Sequence, residues 1–230
     1  MDAIKVEDLL FGFNKQILLN HLSLVVKKGE SIAILGANGA GKTTFFKILL
    51  GLYPPLEGKV TILEREIKNT KDRIFARENI AYVPQERVLG KLPITVFEAV
   101  LLGRYGKGFK GLRKPHKNDR EAVLVALEMV GMDKLQKRDV ADLSGGELQR
   151  MALARALVRD ASIILLDEPI AHLDKSGKDE LPLLIQRLQK EKKFTMVTIT
   201  HESINMAFDR TFILSGGQLK ETTNEYPSLF

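Results

Sequence analysis

Residues 36–44 read Gly-Ala-Asn-Gly-Ala-Gly-Lys-Thr-Thr and match the pattern G-x-x-x-x-G-K-[ST], whose glycines let backbone N–H groups turn toward phosphate. The apolar run 31–35 predicts a buried strand before the motif, and the apolar face of residues 45–50 predicts a helix after it. A helix that starts at a glycine loop attracts anions through its dipole. The stretch therefore predicts a phosphate-binding loop in which Lys42 reaches the β/γ-phosphates and Thr43 ligates Mg²⁺. An accidental glycine turn is the alternative, expected in about one of a hundred chains of this length.

The composition is that of an ordinary globular protein with a mild excess of positive charge. The 230 residues are 44% hydrophobic and 28% charged, with a net charge of +6 and no cysteine. This length suits one α/β domain, or one domain that carries a subdomain. No apolar run approaches the roughly 20 residues of a membrane helix. The N-terminus also lacks the layout of a secretory signal, so we expect a cytoplasmic protein without disulfides or thiolate metal sites.

Further strands are predicted on both sides of the loop. Residues 4–26 form short apolar pieces interrupted at Gly12 and Asn14, which predicts antiparallel strands beside the phosphate-binding loop. Residues 58–63 and 79–83 predict two more strands.

Two carboxylates stand where a central strand ends. The continuous apolar run 162–167 predicts a parallel strand covered on both faces, and it ends in Asp167 and Glu168. In a phosphate site, one carboxylate can hold Mg²⁺ while its neighbour polarises the attacking water. The alternative is that both acids cap the next turn, but that explains neither the adjacent pair nor its position relative to Lys42.

Gln85 and His201 are also placed at strand ends. Gln85 follows the strand at 79–83, and His201 follows a buried strand predicted at 194–200. In open α/β sheets, ligands collect at the carboxyl ends of the parallel strands. Each residue can therefore reach a bound ligand, and each can alternatively be a polar loop residue.

Residues 86–159 have the pattern of a helical subdomain. Capping boxes predict helices that open at 95–98 and 118–121, and Gly103 and Gly131 are expected to end them.

A third helix start carries a local contradiction. Ser144 and Glu147 form a capping box for a helix through 151–157, yet Gly145 and Gly146 fill its first turn. Glycine costs roughly 1 kcal/mol per helix position relative to alanine. Close approach of the backbone to an anion such as phosphate explains the two glycines better than a plain cap does.

Residues 104–118 form a basic segment without acidic side chains. Its cations are Arg104, Lys107, Lys110, Arg113, Lys114 and Lys117. A solvated loop and a docking surface for lipid headgroups or an acidic partner are both open interpretations. Nucleic acid is the weaker partner, because only Tyr105 and Phe109 are interleaved with the cations.

These motifs, in this order and spacing, resemble the nucleotide-binding subunit of an ATP-binding-cassette transporter over nearly the whole chain. The segments that carry the resemblance are 36–43, Gln85, Leu143–Glu147, 163–168, Asp174 and His201. The resemblance implies a P-loop NTPase α/β fold: a three-layer core with a mainly parallel sheet, an antiparallel β subdomain and an inserted α-helical subdomain. It further implies one domain over 1–230, with the ATP-binding core at 1–85 and 160–230 and the helical subdomain at 86–159.

The resemblance assigns ATP and Mg²⁺ as cofactors and gives each site residue a role. The implied ATP-binding residues are Phe13, Gly36, Ala37, Asn38, Gly39, Ala40, Gly41, Lys42, Thr43, Thr44, Ser144, Gly145, Gly146, Glu147 and Asp174. The implied Mg²⁺ residues are Thr43, Gln85 and Asp167, and the implied catalytic residues are Lys42, Gln85, Glu168 and His201. In these roles Phe13 stacks on adenine, Glu168 is the general base and His201 contacts the γ-phosphate. Phe13 replaces the commoner Tyr, and His172 stands where a small residue is usual.

Members of this family work as head-to-tail dimers in which each ATP lies between the phosphate-binding loop of one copy and the helix of the other copy that begins at the signature segment, here Leu143–Glu147. The implied partners are a second copy, transmembrane permease subunits and an extracytoplasmic substrate-binding protein, with the chain on the cytoplasmic face of the membrane and no nucleic acid bound. Residues 92–105 and 117–122 are similar to importers of zinc, manganese and iron, which suggests a metal ion or metal chelate as the substrate.

Three alternatives remain. The first is a transporter ATPase for another substrate. The second is a soluble cassette ATPase of DNA repair or ribosome function, although the long coiled-coil inserts and paired cassettes of those groups are not present. The third is a nucleotide switch without useful turnover, against which Glu168 and His201 argue.

Overall fold

The chain forms two β-sheets. The glycine loop, residues 36–41, follows a strand of the larger sheet. The structure is a computed structural model that describes residues 1–14, 16–85, 93–106, 114–171, 173–202 and 204–222. His172, Leu92, residues 107–113 of the basic segment and Glu86 lie outside the described residues. Among those described, none of the helices combines the length and apolar character needed to cross a bilayer.

The smaller sheet is antiparallel and has the strand order β2-β1-β4-β5. Its strands are β1 (Asp2–Phe13), β2 (Gln16–Lys27), β4 (Glu57–Ile62) and β5 (Arg65–Glu66). The predicted interruption at Gly12 is wrong, because Gly12 lies inside β1 and pairs with Ile17. A Cβ at Gly12 would come within 2.2 Å of the Gln16 carbonyl oxygen, so close packing explains this glycine. The chain turns instead at Asn14, which has a φ of 46°.

The larger sheet is mainly parallel, as predicted, with the strand order β10-β9-β3-β8-β7-β6. Its strands are β3 (Ser31–Leu35), β6 (Ile80–Val83), β7 (Ile163–Asp167), β8 (Thr195–Thr200), β9 (Arg210–Ser215) and β10 (Gln218–Thr222). The five strands from β9 to β6 run parallel, and β10 pairs antiparallel at one edge. Every residue of β3, β7 and β8 is buried, which agrees with the prediction that these strands lie inside the sheet.

Helices cover both faces of this sheet. They are α1 (Lys42–Leu49), α2 (Thr70–Asn79), α3 (Val96–Leu101), α4 (Lys117–Met129), α5 (Gly145–Val158) and α6 (Lys175–Lys192). In β7, Ile164 and Leu166 pack into one core cluster with residues of α3, α4, α5 and α6. Ile163 and Leu165 pack into the other, together with α1 and the smaller sheet. The result is the layered P-loop NTPase architecture that the resemblance implies, while the proposed subdomain bounds stay a prediction.

Two predicted helix ends are corrected by the structure. Helix α4 begins at Lys117 with His116 as its N-cap, so the predicted start at 118–121 is wrong. Gly131 follows α4 with a φ of 71°, as expected of a terminating glycine. Gly103 does not end α3 through a left-handed turn but lies in a 3-10 turn at Leu102–Arg104. A Cβ there would lie 2.3 Å from the Arg155 carbonyl oxygen, so the glycine allows α3 and α5 to pack closely.

Helix α6 also extends beyond its predicted limits. It runs from Lys175 to Lys192, two residues further at each end than the predicted span of 177–190. Its N-cap is Asp174, whose side chain accepts a hydrogen bond of 3.1 Å from the Gly177 N–H.

The start of α4 is fixed by a buried carboxylate. Asp119 is 3% exposed and accepts hydrogen bonds from the His116 N–H at 2.9 Å and from Arg104 Nε at 3.0 Å. Arg104 also donates to the Val158 carbonyl at the end of α5. Burial opposes ionisation, but the hydrogen bonds from His116 and Arg104 hold the pKa of Asp119 below its ordinary value.

We expect Asp119→Ala to lower the free energy of unfolding by about 3 kcal/mol at pH 7, because Arg104 is left without its partner. Since the folded pKa of Asp119 lies below the unfolded one, its stabilisation is present above about pH 4 and is lost as the pH falls further. Urea unfolding at pH 7 and at acidic pH measures both effects. Asp133→Ala, at an exposed position, is the control. Equal loss of stability in the two variants would contradict the assignment.

Candidate active site

The glycine loop joins β3 to α1 and has the geometry of an anion cradle. Gly39 and Gly41 adopt φ values of 82° and 101°, which disfavour side chains. Gly41 is the N-cap of α1, and a Cβ there would lie 3.0 Å from Leu19 Cδ2 and 3.1 Å from Leu18 Cγ. A Cβ at Gly36 would lie 2.7 Å from the Leu214 carbonyl oxygen. The loop is therefore shaped by its glycines and opens at a helix N-terminus, where anions are favoured.

Lys42 folds back across this loop. Its side chain is 6% exposed, and Nζ donates to the carbonyl oxygens of Gly36 at 2.7 Å and Ala37 at 3.1 Å. Nζ also lies 3.5 Å from Glu168 Oε1. The ammonium group is thus held between the loop and the end of β7, where it can meet an incoming phosphate.

Asp167 ends β7 and is 1% exposed. Its Oδ1 accepts a hydrogen bond of 3.4 Å from Thr43 Oγ1, and its Oδ2 accepts one of 2.8 Å from the Tyr82 hydroxyl. Burial raises the pKa of Asp167 above its ordinary value, and the hydrogen bonds from Tyr82 and Thr43 oppose that rise. A hydroxyl and a carboxylate oxygen at this separation are hard oxygen donors of the kind that Mg²⁺ prefers, so the residues present fit that ion.

Glu168 lies between the lysine of the loop and the histidine after β8. Its Oε2 is 2.8 Å from His201 Nδ1 and accepts a hydrogen bond of 3.3 Å from the His201 N–H. Its Oε1 faces Lys42. The backbone of Glu168 has a φ of 49°, an uncommon conformation for a residue with a side chain. Such strain concentrates at functional sites, and here it directs the carboxylate toward the loop.

Phe13 ends β1 and Gln85 follows β6, and both side chains are exposed. Phe13 is 48% exposed, and its ring makes edge contacts with Phe11 at 5.0 Å and Tyr53 at 5.7 Å. Phe11 is buried. Gln85 is exposed two residues beyond β6. Within the described part of the chain, Gln85 makes no hydrogen bond to the phosphate loop or to Asp167.

The signature segment lies in a separate place. Ser144 and Glu147 form the predicted capping box of α5, with the Ser144 N–H donating to Glu147 at 2.7 Å and the Glu147 N–H donating to Ser144 at 3.3 Å. A cavity of about 430 Å³ lies between the starts of α5 and α6, and Asp174 lines it. None of its described lining residues comes from the loop 36–44. The structure therefore places the residues 144–147 and Asp174 at one site and the loop 36–44 with Asp167, Glu168 and His201 at another.

Two contacts were not predicted from the sequence. The first is the Tyr82 hydrogen bond to Asp167, because a tyrosine within an apolar strand is usually assigned to the core. The second joins Lys178 of α6 to Glu202, the residue after His201, over 2.5 Å. A charged pair at these positions has no local sequence signal, because the partners come together only in the folded chain.

Known proteins are similar to this chain over most of its length. A protein-family model described as ABC transporter matches residues 19–171. The high-affinity zinc uptake system ATP-binding protein ZnuC of Bacillus subtilis is 35% identical over 222 residues, which are 95% of this chain and 93% of that protein. The manganese transport system ATP-binding protein MntB of the same organism is 37% identical over 203 residues, which are 88% of this chain and 78% of that protein.

A solved structure adds information on assembly. The ATP-binding cassette MJ0796, in a dimeric post-hydrolysis state bound to ADP and Pi, is similar with a TM-score of 0.79 and 29% identity. The match covers 95% of this chain and 97% of that one.

Proposed function

Because the chain belongs to the ABC transporter family and is an ATPase of that family, we propose that it drives the import of a metal ion or metal chelate through a separate permease. The observation that carries the catalytic part is the position of Glu168, whose strained backbone places its carboxylate between Lys42 and His201. The metal substrate is supported by the zinc and manganese systems to which the relatives belong.

The phosphates of ATP would occupy the loop 36–44, with backbone N–H groups and Lys42 around the β- and γ-phosphates. Thr43 and Asp167 would hold Mg²⁺, with Gln85 at its margin, and the bound ion would offset the charge of the phosphates. The exposed ring of Phe13 would stack on adenine.

Glu168 would accept a proton from the attacking water as that water bonds to the γ-phosphorus. The bond from the γ-phosphorus to the bridging oxygen breaks, and ADP and phosphate leave. His201 would contact the γ-phosphate and hold Glu168 at its Oε2 side. Lys42 would give up its hydrogen bonds to the loop carbonyls and bind phosphate oxygens instead. Its positive charge would there stabilise the negative charge of the phosphates.

A second copy would complete the site. Because the signature segment lies apart from the loop 36–44, it would cover the γ-phosphate bound to another chain in a head-to-tail dimer. Ser144 would present its hydroxyl, Gly145 and Gly146 would present backbone N–H groups, and Asp174 would lie at the interface. Glu147 would contribute through its capping box, which holds the helix start in place. The dimeric state of the similar cassette MJ0796 supports the presence of a second copy.

The partners follow from the transport role. We propose that the chain lies on the cytoplasmic face of the membrane and binds permease subunits. Gln85 would transmit its conformational change to those subunits. An extracytoplasmic substrate-binding protein would belong to the same system. The support is that the relatives are named as ATP-binding proteins of transport systems.

Cellular metal content and copurification test this proposal together. In cells limited for zinc or manganese, loss of this chain should lower the content of one metal severalfold, measured by elemental mass spectrometry. The native chain should restore the metal content, and the matched Glu168→Gln variant should not. The native chain should also copurify from detergent-solubilised membranes with a polytopic protein. Unchanged metal content, with copurification of ribosomes or DNA-repair proteins instead, would overturn the proposal.

A further inference from the structure

Tyr82 is the one side chain outside the predicted site that bonds directly to Asp167 among the described residues. We propose that Tyr82 is a positioning residue, which fixes the Asp167 carboxylate so that its other oxygen faces the magnesium position beside Thr43. This inference rests on the proposed function, because it assigns Tyr82 to the same Mg²⁺-ATP site.

The hydroxyl of Tyr82 is held in place by the fold. Tyr82 pairs with Leu165 across the parallel strands β6 and β7, two positions before Asp167, so both side chains lie on the face that α1 covers. The ring meets Phe46 of α1 edge-to-face, with centroids 6.2 Å apart and planes at 90°. Sheet and helix together therefore fix the ring, and the hydroxyl becomes a donor in a defined position.

The two carboxylate oxygens of Asp167 are used differently. Oδ2 accepts the short 2.8 Å hydrogen bond from Tyr82, whereas Oδ1 accepts only the longer 3.4 Å contact from Thr43. Oδ1 is thus the oxygen available to a metal ion next to the loop. A buried carboxylate without a donor on Oδ2 would be free to rotate about its terminal bond, and the metal-facing oxygen would lose its orientation.

Hydrogen bonds that neighbouring residues donate to metal-ligating groups contribute to metal affinity. Their removal typically weakens metal binding or activity by about 10–100-fold. Tyr82→Phe removes only the hydroxyl and keeps the ring against Phe46. We therefore expect the variant to fold normally and to bind the divalent ion about 10-fold more weakly or worse.

Mn²⁺ serves as the probe, because its free and bound forms are distinguished by electron paramagnetic resonance. Mn²⁺ is titrated into native protein and Tyr82→Phe, each in excess over AMP-PNP, and the apparent dissociation constant is compared. Binding of a fluorescent ATP analogue in EDTA should be equal in the two proteins within about twofold, because the metal-free nucleotide contacts do not involve Tyr82. Tyr105→Phe, which loses a hydroxyl at a half-exposed position outside the site, should behave as the native protein.

The outcomes separate the inference from the proposed function. Native protein that binds no Mn²⁺ with AMP-PNP would contradict the proposed Mg²⁺-ATP site itself. Native protein that binds Mn²⁺, with an unchanged dissociation constant in Tyr82→Phe, would overturn the role of Tyr82 alone. Loss of nucleotide binding in EDTA by Tyr82→Phe would also overturn it, because the hydroxyl would then support the site as a whole.

Discussion

The Glu168→Gln variant is expected to bind ATP with native affinity and to hydrolyse it at least about 10²-fold more slowly than the native protein. The amide has the size of the carboxylate and keeps an oxygen for the His201 N–H, so the loop and its nucleotide contacts persist. It cannot accept the proton of the attacking water at neutral pH. Phosphate release measures the loss, and a fluorescent ATP analogue measures the retained binding.

Because hydrolysis is the step that releases the proposed dimer, Glu168→Gln should also accumulate as an ATP-bound dimer in gel filtration. Glu128→Gln makes the same chemical change on the exposed face of α4 and should hydrolyse ATP at the native rate. A native rate in Glu168→Gln would remove Glu168 from the role of general base. Slow hydrolysis together with lost ATP binding would point to a damaged loop instead.

The site residues at the strand ends could be predicted, because a parallel sheet brings the carboxyl ends of its strands to the same edge. Asp167 and Glu168 stand at the end of a continuous apolar run and His201 follows a buried strand, and the parallel register of β7 and β8 places the two strands side by side. Lys42 follows from the loop pattern alone. The structure adds that Glu168 adopts a positive φ, which no propensity signals, because the conformation is imposed by surrounding contacts such as its N–H bond to the Ile199 carbonyl.

The missed details depend on contacts between distant residues. The sequence predicts the start of α4 too late, because Asn118 and Glu121 match the capping pattern as well as His116 and Asp119 do. Only the folded chain shows that Arg104 donates a hydrogen bond to Asp119, the carboxylate in the first turn of α4. The sequence predicts that Gly12 interrupts a strand and that Gly103 ends a helix, although at each position a carbonyl oxygen lies close to where a Cβ would be. Local patterns contain no information about such neighbours.

The Gly146→Ala variant is expected to gain stability while it loses activity. Gly146 lies in the first turn of α5, its φ is not in the positive region, and a Cβ there would meet no described atom within 4 Å. Alanine should therefore stabilise the helix by up to about 1 kcal/mol. If a phosphate of the opposite ATP approaches this backbone, the added methyl group displaces it by about 1 Å, which lowers hydrolysis on the order of 10²-fold.

Urea unfolding of the single chain and phosphate release by the dimer measure the two effects separately, and Gly41→Ala provides the contrast. At Gly41, a Cβ is disfavoured by the φ of 101° and by the neighbouring side chains of Leu18 and Leu19, which belong to the same chain. Stability and ATP binding should therefore fall together. Gly146→Ala should instead separate stability from activity, because the group that needs the glycine belongs to another molecule. If Gly146→Ala is more stable and fully active, no close approach occurs there, and the two-copy site loses its main structural support.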